Sequence, residues 1–284
     1  MEFLKKFGCI FMKKILSETI RLIRDEKTEY FNEASITSLV CGILYSYGWN
    51  VFDPNEVAPQ YNIRSEKHPQ RVDLALKLFG KRKILIEIKD IKKGKYLKKY
   101  EYQLKGYLNK IPDVKVGILT NSASWWFYYS NEDENNHITI NRQDKVDILK
   151  DSESFIEKIF SQYLSKEKMA EEWYQTNLNN LNNNSQKLTS IRQLRDMEDE
   201  RVFQPLLQIL KEDKECLAKS SALFGIYDLY KLGKLDSEIL YPVLKKAMND
   251  QHSSIKEDAT RFLNEIQKEN NKKALKYKYD LGFQ

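Results

Sequence analysis

The chain has 284 residues, 41% of them hydrophobic and 31% charged, with a formal net charge of +6. That length supports one large domain or two small ones with a real core, in a polar protein. No apolar run approaches the roughly 18 to 20 residues that cross a bilayer, which argues against a membrane span.

The segment Lys5–Met12 has too short an apolar centre, and no small-residue cleavage site, for a secretory signal. Three scattered cysteines, Cys9, Cys41 and Cys216, predict reduced thiols in a cytoplasmic setting. The histidines His68, His137 and His252 are equally scattered, so the sequence offers no His/Cys zinc cluster. Charge is uneven: residues 1–150 carry 26 Lys+Arg against 19 Asp+Glu, a balance of +7, and residues 151–284 carry 21 against 22, a balance of −1. The excess concentrates in 81–110, with 11 basic and 3 acidic residues. Such a cluster attracts a polyanion, although a solvated lysine-rich helix face explains it equally well.

In chain order, Ile15, Leu16, Ile20 and Ile23 predict a packing helix over 12–27. A second helix over 33–47 carries Ile36, Leu39, Val40, Ile43 and Leu44, with Asn32 or Ser35 as its cap and Gly48 as its stop. After an extended start at Trp49, residues 53–69 read as a polar, proline-containing loop. Arg71–Phe79 and Lys83–Asp90 are rich in branched apolar residues and predict paired strands, with Gly80–Lys83 as their turn. A helix over 96–109, a break at Ile111-Pro-Asp113, strands over 114–120 and 125–129 and an edge strand at 138–140 complete a compact α/β sheet flanked by helices.

Residues 151–174 read as one helix, ending a first domain at 174. The low-complexity stretch 175–186, with Asn177-Leu-Asn-Asn-Leu-Asn-Asn-Asn184, reads as an Asn-rich linker. From 187 to 284 the pattern is helical and repeats. Pro205-Leu-Leu recurs as Pro242-Val-Leu at an offset of 37 residues, and each copy is followed by an Asp, a polar turn and a second helix, at 214–231 and 253–267. This resembles HEAT repeats, with Thr189–Asp196 as the trailing helix of a truncated unit. A generic helical bundle is the plain alternative.

The chemistry-bearing residues lie in the paired strands. Asp73 sits near the start of the first, and Glu87 and Lys89 occupy alternate positions of the second, so those two share a face. Ionisable groups inside strands are costly without a role. Two carboxylates suffice to bind Mg2+, which keeps several waters, and a nearby lysine orients an attacking water on a phosphodiester. Acid-x-Lys alone is weak, since it recurs at Asp25, Asp90, Asp113 and Glu212. Only Glu87-Ile-Lys89 lies in an apolar strand preceded at hairpin distance by another strand carrying a carboxylate. The plain alternative is a buried structural ion pair.

Taken with Asn32-Glu33 opening a helix that ends Tyr47-Gly-Trp49, with Gln103-Leu-Lys-Gly-Tyr107, and with Gly117-Ile-Leu-Thr-Asn121 before Trp126-Phe-Tyr128, these motifs resemble the PD-(D/E)xK nuclease superfamily. They are most similar to the N-terminal endonuclease domain of type I restriction motor subunits. The resemblance covers about a third of the chain and implies a restriction-endonuclease-like sheet. It also implies a magnesium- or manganese-dependent nuclease acting on DNA, in a restriction-like or phage-defence setting; separately, the aromatic strand 125–129 could stack bases, which makes RNA or single strands the alternative substrate.

By that resemblance Asp73, Glu87 and Glu33 hold metal, Lys89 assists catalysis, and Gln103 and Tyr107 shape the site and hold the nucleic acid. Lys92, Lys93 and Lys95 add phosphate contacts. Glu33 as a first-turn acid favoured by the helix dipole, Gln103 as a surface amide and Tyr107 as a packing residue are the plain alternatives. Val72 stands where the family pattern has Pro. No Gly-x-x-x-x-Gly-Lys-Ser/Thr loop follows, so a motor is not implied. The near-neutral helical tail predicts a protein partner or self-association. A nuclease-like module that binds nucleic acid without cutting is the alternative function.

Overall fold

The computed structural model describes residues 2–25, 32–63, 70–90, 97–111, 113–132 and 138–280, with side chains between 14 and 271. The chain divides into two compact units, Met1–Glu171 and Glu172–Gln284. The first contains α1 (Glu2–Asp25), α2 (Glu33–Ser46), β1 (Val57–Ile63), β2 (Gln70–Leu78), β3 (Lys81–Ile88), α3 (Glu101–Lys110), β4 (Val116–Thr120), β5 (Ser124–Glu132), β6 (Ile138–Asp147) and α4 (Glu153–Leu164). A helix α5 (Lys166–Asn180) runs across the division.

The strands form one sheet in the order β1-β2-β3-β4-β5-β6. All neighbours are antiparallel except β3 and β4, which run parallel. A parallel pair needs a crossover, and α3 supplies it. The β2–β3 hairpin turns on Phe79 and Gly80 alone, both with positive φ (50° and 71°), the two-residue geometry whose twist matches the flanking strands.

Both faces of the sheet are covered, which is why β3 and β4 read as continuous apolar runs. Leu74, Leu76, Ile84, Ile86 and Ile88 join Ile20, Ile36, Val40 and Phe160 in one core. On the other face Ala75, Leu85, Leu119 and Tyr128 pack with Leu104, Tyr107 and Leu108 of α3. A Cβ at Gly117 would stand 2.6 Å from Leu108 Cδ1, so glycine lets α3 lie this close to β4.

Several expectations need adjustment. The loop expected over 53–69 contains β1, whose Pro59 is tolerated because β1 is an edge strand. The helix expected over 151–174 is two helices, broken at Ser165. Trp49 Nε1 donates to Leu164 O at 2.7 Å and Lys166 N to Tyr47 O at 3.1 Å, so the break leaves these backbone groups satisfied. The edge strand expected at 138–140 extends to Asp147. The Asn-rich stretch 175–186 is helical as far as Asn180 and then turns, with Asn177 buried and its amide donating to Trp173 O at 2.8 Å.

The second unit is all-helical beyond the division: α6 (Lys187–Arg195), α7 (Phe203–Glu212), α8 (Cys216–Lys231), α9 (Ser237–Ala247) and α10 (Ser253–Asp280). α8 packs against α6, α7 and α10. The buried positions Ala218, Ala222, Gly225 and Leu229 of α8 recur 37 residues later as Ile255, Ala259, Phe262 and Ile266 of α10. Polar rungs join the same two helices: Tyr227 Oη to Glu265 Oε2 at 2.8 Å and Lys231 Nζ to Glu269 Oε1 at 2.6 Å. Among the described residues no helix is long and apolar enough to cross a membrane.

Candidate active site on the central hairpin

Pleating sends Ile84, Ile86 and Ile88 to one core and Leu85 to the other, so Glu87 shares the α3 side with Leu85. The register pairs Leu74 with Ile86, and its continuation sets Asp73 beside Glu87. Asp73 Oδ2 accepts from Ile88 N at 2.7 Å, and its Oδ1 accepts from Gln60 Nε2 at 3.2 Å. Lys89 donates its side chain to Glu87 Oε1 and its backbone N–H to Thr120 O at 2.8 Å. Its ammonium also lies 5.0 Å from the centre of the Tyr100 ring. The carboxylate pair and the lysine thus come together.

Glu87 is 1% exposed, and among the described residues its Oε2 has no hydrogen-bond partner. Burial, and then the Asp73 carboxylate, push its pKa up to about 7; the hydrogen bond and charge of Lys89 pull it back, and Glu33 adds to the rise. Burial works against the Lys89 ammonium, but the hydrogen bond to Glu87 and the charges of Glu87, Asp73 and Glu33 more than offset it, so its pKa is raised. Three carboxylates and one ammonium therefore share one electrostatic neighbourhood. An acceptor oxygen within it is left for a cation or a proton.

Glu33 opens α2, with Asn32 Oδ1 accepting from Ser35 N at 2.9 Å as the cap. Glu33 is exposed and acts on Glu87 and Lys89 through charge rather than through a hydrogen bond among the described residues. Gln103 and Tyr107 form a relay on α3. Gln103 Nε2 donates to Tyr107 Oη at 2.5 Å, and Tyr107 Oη donates to Arg71 O at 3.0 Å, two residues before Asp73. Burial and then Glu87 raise the Tyr107 pKa against the Gln103 hydrogen bond, which places the phenol in the same field. Lys92, Lys93 and Lys95 lie outside the described residues. The charge of Asp113, from the Pro-Asp dipeptide, acts on Lys83.

Two participants were missed by sequence reasoning. Gln60 holds Asp73 from a strand hidden in a polar segment, and nothing in its neighbourhood marked it. Tyr100 precedes α3 in an aromatic, lysine-rich stretch, which was the available signal. Among the described residues no group of three or more His, Cys, Asp and Glu side chains is placed to hold a metal ion. The donors present are instead two carboxylates, one with a free buried oxygen. That set fits a hard cation that keeps several waters and does not fit zinc. The chain matches no family model, no curated protein and no solved structure.

Proposed function

We propose that the first unit hydrolyses phosphodiester bonds of DNA with Mg2+ or Mn2+ bound by Asp73 and Glu87. The observation that carries this reading is the buried Glu87 Oε2, unpartnered among the described residues, on a carboxylate that feels the charges of both Asp73 and Lys89. Burying such an oxygen costs free energy that a bound cation offsets. When bound, the ion supplies Lewis-acid stabilisation of the phosphate oxygens. Lys89 would orient the attacking water and balance charge on phosphorus. Gln60 and the Ile88 N–H hold Asp73 in place, the Gln103–Tyr107 relay fixes the start of β2, and Glu33 adds negative charge that favours the cation.

The helical unit is read as a HEAT-like platform, in which α6, α8 and α10 are successive equivalents, for a protein partner or self-association. A second reading, a module that holds nucleic acid without cutting, is favoured by one observation: Lys89 and Glu87 are closed on each other, and a protonated Glu87 would not bind the ion.

Supercoiled, linear and single-stranded DNA and RNA, each with Mg2+, Mn2+ or chelator, separate the two readings. Metal-dependent DNA cleavage abolished by Lys89→Ala is the expected result. Binding without cleavage under every metal would establish the module, and equal cleavage by the wild type and Lys89→Ala would refute the site.

A further inference from the structure

Residues of β1, the β2–β3 hairpin and the end of α3 line a polar cleft of about 870 Å3. This lies within the range of small-molecule sites. Three cations line it: Lys77, Arg82 and Lys110. Each gives its hydrogen bond to a neutral oxygen. Lys77 Nζ donates to Pro54 O at 3.4 Å, Arg82 Nη1 to Tyr61 Oη at 3.1 Å, and Lys110 to Gln70 Oε1. Among the described residues none of the three reaches a carboxylate.

The lining carboxylate, Asp113, has its charge engaged with Lys83, where it opposes the burial that lowers that ammonium to about 8. Lys77 and Arg82 also stand 5.4 and 5.7 Å from the centre of the Tyr61 ring, which gathers two like charges at one wall. Two cations gathered at one wall raise the local positive potential and favour an anion there.

One residue belongs to both cleft and active site. Gln60 lines the cleft and donates to Asp73 Oδ1 at 3.2 Å. Its φ of 47° is left-handed, a conformation costing about 1 kcal/mol or more in a residue other than glycine. It turns β1 so that this amide meets the carboxylate between the paired positions Pro59↔Leu74 and Tyr61↔Val72.

We propose that the cleft is a nucleotide subsite, in which Lys77, Arg82 and Lys110 take the phosphate while Tyr61 and the Asn62 amide face the base. Its occupant is one nucleotide of the strand displaced from the bond presented to Asp73 and Glu87. Only the naming of that strand as a substrate rests on the proposed hydrolysis.

The test uses the full-length Lys89→Ala chain without metal, titrated calorimetrically with deoxyadenosine 5′-monophosphate and with deoxyadenosine. The nucleotide binds and the nucleoside does not. Lys77→Gln/Arg82→Gln weakens the nucleotide by at least about tenfold, two charge-assisted contacts being lost.

The control is Arg142→Gln/Lys145→Gln. It removes two cations of β6, 4.8 and 5.9 Å from the Trp126 ring centre and at the other edge of the sheet from β1, with no change in affinity expected. Thermal melts verify that each variant folds. Absence of nucleotide binding, equal binding of the nucleoside, or equal loss in both double variants overturns the subsite. Nucleotide binding by a chain that cuts nothing would keep the subsite and discard the nuclease, whereas cleavage without nucleotide binding would do the reverse.

Discussion

Two buried ion pairs, one in each unit, show what separates a structural charge from a chemical one. In the helical unit Lys219 and Asp250 meet at 2.6 Å with side chains 8% and 11% exposed. Burial alone works against the Asp250 carboxylate, yet the Lys219 hydrogen bond and the His252 N–H at 3.0 Å hold its pKa below the usual range. In the hairpin Glu87 and Lys89 are also in contact, with side chains 2% and 15% exposed. There burial dominates, a second carboxylate stands alongside and, among the described residues, one oxygen has no partner, so the carboxylate shifts the other way. The helical pair is complete. Among the described residues the hairpin pair lacks a balancing positive charge, which is the observation the proposed site rests on.

The largest effect expected is on catalysis. Lys89→Ala lowers Mg2+-dependent DNA cleavage by about a thousandfold, the scale of losing a positioned proton-transfer or charge-balancing group, read from initial rates on a plasmid. Its melting curve stays close to wild type, because Glu87 can take up a proton in place of its lost partner.

Next is the reciprocal deletion. Lys219→Met strands Asp250 in a site with little solvent and costs about 2 kcal/mol in urea unfolding, below the full penalty for a deeply buried charge because the site lies near the surface. If Lys89→Met cost as much stability as Lys219→Met, the contrast between the pairs would be wrong.

Glu87 supplies the third test, through pH. Because its folded pKa is raised from 4.5 to about 7, the folded chain keeps a proton that the unfolded chain has released. Stability therefore falls as pH climbs between those values, and the penalty is full above about 7. Mg2+ competes with that proton, so the rise in melting temperature that it produces is small at acidic pH and grows as pH passes the Glu87 pKa. Glu87→Gln, melted in chelator above that pKa, gains about 1 kcal/mol and loses the response to Mg2+, the usual exchange of function for stability. A Mg2+ response that survives in Glu87→Gln places the ion elsewhere.

Much of this contrast was legible in the sequence because its signals were local. Glu87-Ile-Lys89 stood out as charge at period two inside an apolar strand, and Gly80 marked the hairpin, though the turn proved to be Phe79–Gly80 rather than 80–83. The 37-residue offset is also the spacing of the buried positions shared by α8 and α10. What stayed hidden was non-local. β1 is held by pairing with β2 rather than by its own propensity, so its polar, proline-bearing sequence read as loop, and Gln60 was lost with it. Likewise the break at Ser165 leaves helical spacing almost unchanged, and it is fixed by Trp49 and Tyr47 reaching the chain from far upstream.

The smallest effect tests whether the α3 relay belongs to the site or only to the core. Tyr107→Phe keeps the packed ring and removes one hydroxyl, the donor to Arg71 O and the acceptor from Gln103. A single such bond is worth about 1 kcal/mol, so a modest loss of stability is expected whatever the role of the relay. The informative measurement is cleavage at saturating substrate. Because the hydroxyl anchors the backbone two residues before Asp73, its loss loosens that carboxylate and lowers kcat several-fold while KM for DNA hardly moves. A change confined to KM would mean that Tyr107 touches the nucleic acid directly. No change in either constant would leave the phenol as a core residue whose hydroxyl only secures β2.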